Sequence, residues 1–267
     1  MEFKLPERSQ NSHKGTFGRV LNIAGSRYMP GAAYLSSIAA LKIGAGYCFL
    51  ASEESVIQAV AAQTQNVVFV PLKNIKKQLQ TADVLSIGCG LSISHQAQNT
   101  FKTAIKYSKN LPTITDADGL NILAKNKNYV PNNLIITPHP AEAARLLNTT
   151  TENILSDREK SAKQLTEKYH CVTVLKSHNT IVCSKDFEIY TNQTGNSALA
   201  KAGSGDVLTG IIAGLLSQKM TPFDAAKLGV YIHGLCGEIA SEKKTEYSVM
   251  AADLIDAIPE VIIRNNL

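Results

Sequence analysis

The chain has 267 residues, of which 44% are hydrophobic and 18% charged, and its 27 Lys and Arg residues exceed its 22 Asp and Glu residues by five. This composition excludes intrinsically disordered and collagen-like chains, which depart strongly from the globular average. The five cysteines are an odd number without a CxxC pair, so nothing suggests a disulfide framework or a zinc site. No apolar stretch is long enough to cross a membrane, and the first eight residues lack the apolar core of a signal peptide. We therefore expect a cytoplasmic protein without a membrane partner.

The positive charge is spread thinly along the chain. It consists largely of lysines on presumed helix surfaces, such as Lys73, Lys76, Lys77, Lys102, Lys106 and Lys109. Neither interleaved aromatic residues nor a single basic stripe accompanies them, and this pattern is typical of a solvated face. We therefore predict no nucleic-acid partner.

Short β-branched runs alternate with longer Ala- and Leu-rich runs of helical period, which predicts a mostly parallel sheet covered by helices. In chain order, parallel strands are predicted at residues 19–24, 47–51, 67–70, 84–87, 112–115, 134–136 and 172–175. Two further strands, 180–183 and 188–191, stand at hairpin spacing and predict an antiparallel addition at the sheet edge. Helices are predicted at residues 32–43, 55–62, 94–107, 118–124, 140–147, 151–169, 206–217, 221–243 and 251–265. No repeat or linker interrupts the series, so we expect a single domain over residues 1–267.

Small, polar or charged residues follow most of the predicted strands. They stand at residues 25–26, 88–90, 116–118, 137–140 and 176–179. Because ligands of open α/β sheets bind beyond the carboxyl ends of the strands, these segments together predict a binding site.

The strongest local signal is the glycine-rich segment 192–206, which runs directly into an apolar stretch. Gly203, Ser204 and Gly205 leave backbone N–H groups unshielded at a helix start, where the helix dipole favours an anion, so we predict a phosphate site. Asp206 is either a helix cap or a base that takes a proton from a substrate hydroxyl during phosphoryl transfer, and its setting favours the base. Neither a Walker A loop at residues 25–32 nor a dinucleotide fingerprint at residues 44–49 is present.

Lys176 closes a strand of buried character, where a cation needs an anionic partner, and we predict that it contacts a nucleotide phosphate. His178, Asn179 and Thr180 then line a nucleotide pocket or form a polar turn. His139 is predicted to face a substrate, with a role as metal ligand less favoured.

Three carboxylates have open interpretations. Glu142 is a metal partner of His139 or a first-turn carboxylate that the helix dipole stabilises. Asp116 and Asp118 organise Mg²⁺ through water, or Asp118 is the N-cap of the next helix. The remaining histidines without recognisable partners are interpreted as surface or packing residues: His13, His95, His170 and His233.

Taken in order, segments 13–18, 24–26, 29–33, 87–91, 137–140 and 192–206 resemble the ADP-dependent NAD(P)H-hydrate dehydratases. The resemblance implies a ribokinase-like three-layer sandwich, with helices on both faces of the sheet, and repair of hydrated nicotinamide cofactors. In that family ADP phosphorylates the ring hydroxyl of the (S)-hydrate of NADH or NADPH with the help of Mg²⁺, and elimination of phosphate releases NAD(P)H and AMP. The family also implies a homotetramer and functional coupling to a hydrate epimerase. Many relatives carry that epimerase as an N-terminal domain, so the chain is expected to be a stand-alone enzyme or a fragment of such a fusion.

Carried onto this sequence, the resemblance implies specific binding positions. Those for the hydrate are Ala33, Gly90, His139 and Asp206. Those for the nucleotide are Lys176, Ser177, His178, Asn179, Thr180 and Gly205, next to Gly203 and Ser204 of the predicted phosphate site. Ser177 departs from the glycine usual in the family.

Two alternatives stay open at this point. One is a hydroxymethylpyrimidine, thiazole or sugar kinase of the same fold; those enzymes carry a compact Asp-Thr-x-Gly-Ala-Gly-Asp run, whereas here residues 194–196 are separated from residues 203–206, which favours the dehydratase. The other is a non-catalytic nucleotide-binding protein, which is expected to lack the base, and Asp206 is present.

Overall fold

A computed structural model describes residues 3–108, 110–126 and 129–267, so Lys109 and the first two residues of the predicted domain lie outside the described residues. The strands within these ranges form one sheet in the order β3-β2-β1-β4-β5-β6-β7-β8-β9. They are β1 (Arg19–Ile23), β2 (Tyr47–Ser52), β3 (Val68–Pro71), β4 (Val84–Ile87), β5 (Thr113–Thr115), β6 (Leu134–Ile136), β7 (Val172–Leu175), β8 (Ile181–Cys183) and β9 (Ile189–Thr191).

The sheet is parallel from β3 through β7 and antiparallel from β7 to β9. The chain first runs outward from β1 to β3 and then returns to place β4 beside β1. This reversal creates a switch point between β1 and β4, where neighbouring connections diverge and leave a crevice. The predicted parallel sheet and its antiparallel edge hairpin are confirmed.

The helices are α1 (Pro30–Lys42), α2 (Glu54–Ala61), α3 (Ile75–Leu79), α4 (His95–Ser108), α5 (Asp118–Lys125), α6 (Pro140–Leu147), α7 (Thr151–Ser156), α8 (Arg158–Tyr169), α9 (Ser204–Ser217), α10 (Pro222–Lys244) and α11 (Ala251–Arg264). The short α3 was not predicted. The single helix predicted at residues 151–169 is wrong, because Asp157 leaves the helical conformation and its side chain caps α8 by accepting the N–H of Lys160. Helix α9 begins two residues earlier than predicted, which places Asp206 in its first turn.

The two largest hydrophobic clusters of the described residues lie on opposite faces of the sheet. Alternate strand residues such as Val20 and Ile114 face α1, α9, α10 and α11, whereas Leu21 and Leu85 face the layer that contains α4, α5, α6 and α8. The three-layer arrangement is therefore as predicted. In the described part of the chain, no helix combines the length and the apolar character needed to cross a membrane.

Helix α9 is held very close to α1 by two glycines. A Cβ atom on Gly210 would lie 2.3 Å from the Ser36 carbonyl oxygen, and one on Gly214 would lie 2.6 Å from that of Ala40. Such distances are impossible for a real side chain, so only glycine permits this packing. The close contact fixes the start of α9 relative to the sheet.

Candidate active site

A cavity of about 870 Å³ lies at the carboxyl ends of β5, β6 and β7, beside the start of α9. Its position agrees with the rule that ligands of α/β sheets bind beyond the strand ends. Its lining contains most of the predicted site residues: His139, Lys176, Ser177, His178, Asn179, Thr180, Gly203, Ser204, Gly205 and Asp206.

Ala33 and Gly90 are not among the described residues that line this cavity. Ala33 is fully buried in the first turns of α1. Gly90 has a φ of +59°, and a Cβ atom there would lie 2.8 Å from the side chain of Ala32. Ala33 lies on the helix that follows β1 and Gly90 in the loop that follows β4, and their role toward the hydrate stays a prediction.

The start of α9 has the features of an anion site. Gly203 adopts a left-handed φ of +89° as the N-cap residue, and no side chain of the described residues caps the helix. The N–H of Ser204 donates to the carbonyl of Lys201 at 3.2 Å, and that of Val207 to the carbonyl of Gly203 at 3.1 Å. The N–H groups of Gly205 and Asp206 lie between these two bonds, where the helix dipole is most positive.

Gly205 differs from Gly203 in what surrounds it. A Cβ atom on Gly203 would lie 2.6 Å from Leu35, whereas one on Gly205 would lie 3.4 Å from Lys176 Nζ and 3.6 Å from Asp116 Oδ2. The protein itself therefore does not require a glycine at position 205. Gly205 lines the cavity, so an anion bound there can approach the backbone of this residue closely.

Lys176 belongs to a buried ion pair. Its Nζ lies 2.7 Å from Asp116 Oδ1 and 3.9 Å from Glu142 Oε2, and Thr209 Oγ1 donates to Asp116 Oδ2 at 2.8 Å. Burial alone would lower the pKa of Lys176, but the charges of Asp116 and Glu142 outweigh burial and raise it. Lys176 thus has an anionic partner within the protein, the carboxylate of Asp116. A contact of Lys176 with a nucleotide phosphate stays a prediction.

Asp206 and Glu142 are both carboxylates of the cavity whose pKa is raised. Burial raises the pKa of Asp206 to about 6, and the nearby negative charge of Asp116 contributes in the same direction. A carboxylate with such a pKa takes up a proton readily near neutral pH and is ionised above it. These properties suit a general base.

His139, which the sequence predicts to face a substrate, also caps the start of α6. As N-cap of α6 it accepts the N–H of Ala141 with Nδ1 at 3.2 Å, while Glu142 Oε2 accepts the N–H of His139 at 2.8 Å. This reciprocal capping box leaves Nε2 of the half-exposed ring at the cavity, 3.5 Å from Glu142 Oε1. Burial, with Lys176 and Arg145, lowers the pKa of His139. A substrate contact of His139 would therefore be made through Nε2.

Asp118 is not the N-cap of α5, because Ala117 occupies that position with a φ of 49°. The Asp118 carboxylate instead accepts the N–H of Ser92 at 2.7 Å, which ties α5 to the loop after β4. Asp116 is likewise already bonded to Lys176 and Thr209. No group of three or more potential metal ligands exists among the described residues.

Arg158, which the sequence did not indicate, organises the loop 177–180. Its guanidinium donates to Ser177 Oγ and to the carbonyl of His178, and Thr180 Oγ1 donates to the carbonyl of Ser177 at 3.0 Å. Asn179 has a φ of +55°, a conformation that asparagine tolerates. Ser177 needs no positive φ here, and its hydroxyl anchors the loop to α8.

Sequence reasoning also missed His233, which was interpreted as a surface or packing residue. It lies on α10, is buried, and lines the cavity next to Ser204. A histidine within an apolar helical run was the available signal, because a buried imidazole requires a hydrogen-bond partner. That partner comes from another helix and could not be identified from the sequence.

A family model described as NAD(P)H-hydrate dehydratase matches residues 20–260. The chain belongs to this family. It is 39% identical over 241 residues to the ADP-dependent (S)-NAD(P)H-hydrate dehydratase of Neisseria meningitidis serogroup B, with 88% of this chain and 81% of that protein covered. It is 38% identical over 275 residues to the bifunctional NAD(P)H-hydrate repair enzyme of Moorella thermoacetica, where the match covers 97% of this chain but only 52% of the relative. The chain thus spans about half the length of that bifunctional protein.

Solved structures agree with this membership. The NAD(P)H-hydrate dehydratase family member from Bacillus subtilis, described as ADP/ATP-dependent and co-crystallised with ATP and Mg²⁺, superimposes with a TM-score of 0.87 at 32% identity, covering 98% of this chain and 94% of that one. A ribokinase-like superfamily protein from Enterococcus faecalis gives a TM-score of 0.88 at 27% identity, covering 98% and 92%. The predicted family and ribokinase-like fold are confirmed, and the names of the relatives favour a dehydratase over the small-molecule kinases.

Proposed function

We propose that this member of the NAD(P)H-hydrate dehydratase family uses ADP to dehydrate (S)-NAD(P)H hydrate to NAD(P)H, with release of AMP and phosphate. The observation that carries the proposal is the pairing of an uncapped helix start with Asp206, a partly buried carboxylate in the same first turn whose pKa is raised to about 6. The first feature suits a transferring phosphoryl group and the second suits removal of a hydroxyl proton.

In the proposed reaction Asp206 takes the proton of the ring hydroxyl, and the hydroxyl oxygen forms a bond to the terminal phosphorus of ADP. The bond from that phosphorus to the bridging oxygen breaks, and AMP leaves with the electron pair. The ring–oxygen bond then breaks, phosphate leaves with its electron pair, and a proton lost from the neighbouring carbon restores the double bond. The N–H groups of Gly205 and Asp206 are the donors nearest to the phosphoryl oxygens in this arrangement.

Mg²⁺ fits this cavity as an ion that takes most of its ligands from phosphate and water. The described residues contain no three-ligand cluster, but Mg²⁺ in nucleotide sites commonly uses one or two carboxylates together with phosphates. Glu142 is the carboxylate placed to hold it, because it is buried beside the cavity, its pKa is raised by burial, and its distance to Lys176 is a long 3.9 Å. When bound, the ion would neutralise charge on the phosphates.

Nucleotide binding is proposed for the residues around the start of α9 and the loop anchored by Arg158: Lys176, Ser177, His178, Asn179, Thr180, Gly203, Ser204 and Gly205. Hydrate binding is proposed for Ala33, Gly90, His139 and Asp206. The proposal also includes a single domain, a homotetramer, functional coupling to an epimerase and a cytoplasmic location. The last is supported by the five cysteines, all of which are buried free thiols.

The proposal is tested by incubating the protein with hydrated NADH or NADPH, Mg²⁺ and either ADP or ATP. We expect the absorbance of reduced nicotinamide to return with ADP, together with one AMP per turnover. Asp206→Asn should slow the return about a hundredfold or more, whereas Asp224→Asn should not, since Asp224 is a first-turn aspartate of α10 that does not line the cavity. Protein that binds ADP yet restores no absorbance with either nucleotide would contradict the proposal and favour a small-molecule kinase.

A further inference from the structure

The buried imidazole of His233 contacts the start of α9 twice. Its Nε2 lies 3.0 Å from Ser204 Oγ and 3.0 Å from the carbonyl oxygen of Ser204. Both residues line the cavity, although they stand on different helices. In the described part of the chain, His233 Nε2 is therefore in contact with Ser204, the residue that precedes Gly205 and Asp206.

The carbonyl contact determines which atom donates. A carbonyl oxygen only accepts hydrogen bonds, so Nε2 must carry the hydrogen. An Nε2–H group cannot also accept from the Ser204 hydroxyl, which can therefore act toward the ring only as an acceptor. The hydroxyl hydrogen of Ser204 is left for another partner, and no other bond donated by Ser204 Oγ is found in the described part of the chain.

The His233 ring is neutral at working pH, so the assignment of the hydrogen to Nε2 concerns a single tautomer. Burial lowers the pKa of His233 to about 4, and the positive charge of Lys176 acts in the same direction. The ring is neutral above pH 5 and takes no part in proton transfer in the working range. Gly234, the next residue of α10, lets this helix pack closely against Thr194, because a Cβ atom on Gly234 would lie 2.0 Å from Thr194 Oγ1.

We propose that His233 is a positioning residue which, through Nε2–H, holds Ser204 so that the serine hydroxyl donates to the phosphoryl group transferred at the start of α9. Ser204 is held from its other side by the bond from its N–H to the carbonyl of Lys201. The side-chain hydroxyl would then act beside the N–H groups of Gly205 and Asp206 as a third donor. This inference rests on the proposed phosphoryl transfer.

The test compares variants that keep or remove each hydrogen bond. His233→Gln and Ser204→Thr retain an N–H and a hydroxyl, whereas His233→Leu and Ser204→Ala remove them. We expect each removal to lower kcat about tenfold, the loss typical of one hydrogen bond to a charged group, with the Kd for ADP changed less than about threefold. The two conservative variants should keep kcat within about threefold of the parent.

The double variant His233→Leu/Ser204→Ala should be no slower than the slower single variant, since both changes remove the same donor. The proposal would be overturned if the fold-losses of kcat in the two single variants multiplied in the double variant. It would also be overturned if kcat were unchanged in Ser204→Ala. A shifted pH dependence in His233→Leu would also overturn it, because it would indicate a titrating group. Should His233→Leu not fold, the comparison of Ser204→Ala with Ser204→Thr still decides.

A second readout does not depend on turnover. The ¹⁵N chemical shifts of the His233 ring should show the Nε2–H tautomer between pH 6 and 8, in the free protein and with ADP bound. The Nδ1–H tautomer would overturn the proposal. If the tautomer is Nε2–H and the parent protein lacks dehydratase activity, the proposed function fails while the Ser204 contact stands.

Discussion

Lys176 Nζ lies 2.7 Å from Asp116 Oδ1, and the second oxygen of the same carboxylate accepts from Thr209 at 2.8 Å. One buried carboxylate therefore joins the ends of β5 and β7 to the first turns of α9. Because Asp206 is in that helix, the ion pair helps to hold the proposed base. The negative charge of Asp116 also helps to set the protonation of Asp206.

Asp116→Asn should move the acid limb of kcat/KM to lower pH. The charge of Asp116 raises the pKa of Asp206, so its removal lets the base ionise more easily. We expect a downward shift of roughly one pH unit or less, together with a lower plateau because Lys176 loses its partner. Asp256→Asn serves as the control, since Asp256 is exposed and its one ion pair among the described residues is with Lys42 at 3.7 Å. An unchanged midpoint would show that Asp116 does not act on the base.

The unmodified enzyme should have an acid limb in kcat/KM with a midpoint near pH 6. Asp206 must be ionised to accept a proton, and its pKa is raised to about 6. Activity should therefore fall about tenfold per pH unit below the midpoint and level off above pH 7. A midpoint near pH 4, typical of an exposed aspartate, would contradict the assignment.

Asp206→Asn should lower kcat about a hundredfold or more and yet raise the stability of the fold above pH 6. The pKa of Asp206 rises from 3.8 to about 6 on folding, so the protonated form is favoured in the folded state. Its stabilising contribution is complete below pH 3.8 and is lost as pH rises through about 6. The variant carries no such charge, and its gain should grow from about pH 4 to a plateau of at most about 3 kcal/mol. Urea unfolding at pH 4.5 and pH 8 measures the difference, and an equal gain at both values would contradict it.

Gly205→Ala should fold normally but bind ADP at least about tenfold more weakly. The added methyl group would lie 3.4 Å from Lys176 Nζ, an ordinary contact, but it would occupy the space through which a phosphate approaches the backbone. Gly210→Ala is the matched control on the same helix, because its methyl group would lie 2.3 Å from the Ser36 carbonyl and should destabilise the fold. Calorimetric titration with ADP and thermal unfolding separate the two effects. Normal ADP affinity in Gly205→Ala would place the anion elsewhere.

The elements of the fold were largely predictable because their signals are local. Strand alternation, hairpin spacing and helical period each depend on residues within about one element, and they located every strand of the described sheet to within about two residues. The failures have local physical causes as well. Helix α3 is only five residues long, and the break at Asp157 depends on a cap that competes with helix continuation.

The glycine-rich segment and Asp206 were predictable for the same reason, since an unshielded helix start needs only adjacent residues. His139 and Lys176 were correctly placed at the ends of strands, but their partners were not. Lys176 pairs with Asp116, which stands 60 residues earlier, and its predicted contact with a phosphate stays a prediction.

Neighbouring residues along the chain were sufficient to predict the alternation of strands and helices, the glycine-rich start of α9 and the presence of an aspartate near it. The tertiary structure alone decided that Asp116 pairs with Lys176, that Arg158 shapes the loop 177–180 and that His233 meets Ser204. It also decided the raised pKa of Asp206, which depends on burial by distant segments. Local geometry is encoded by neighbouring residues, whereas burial and charge pairing arise only when packing brings separated residues into one low-dielectric site.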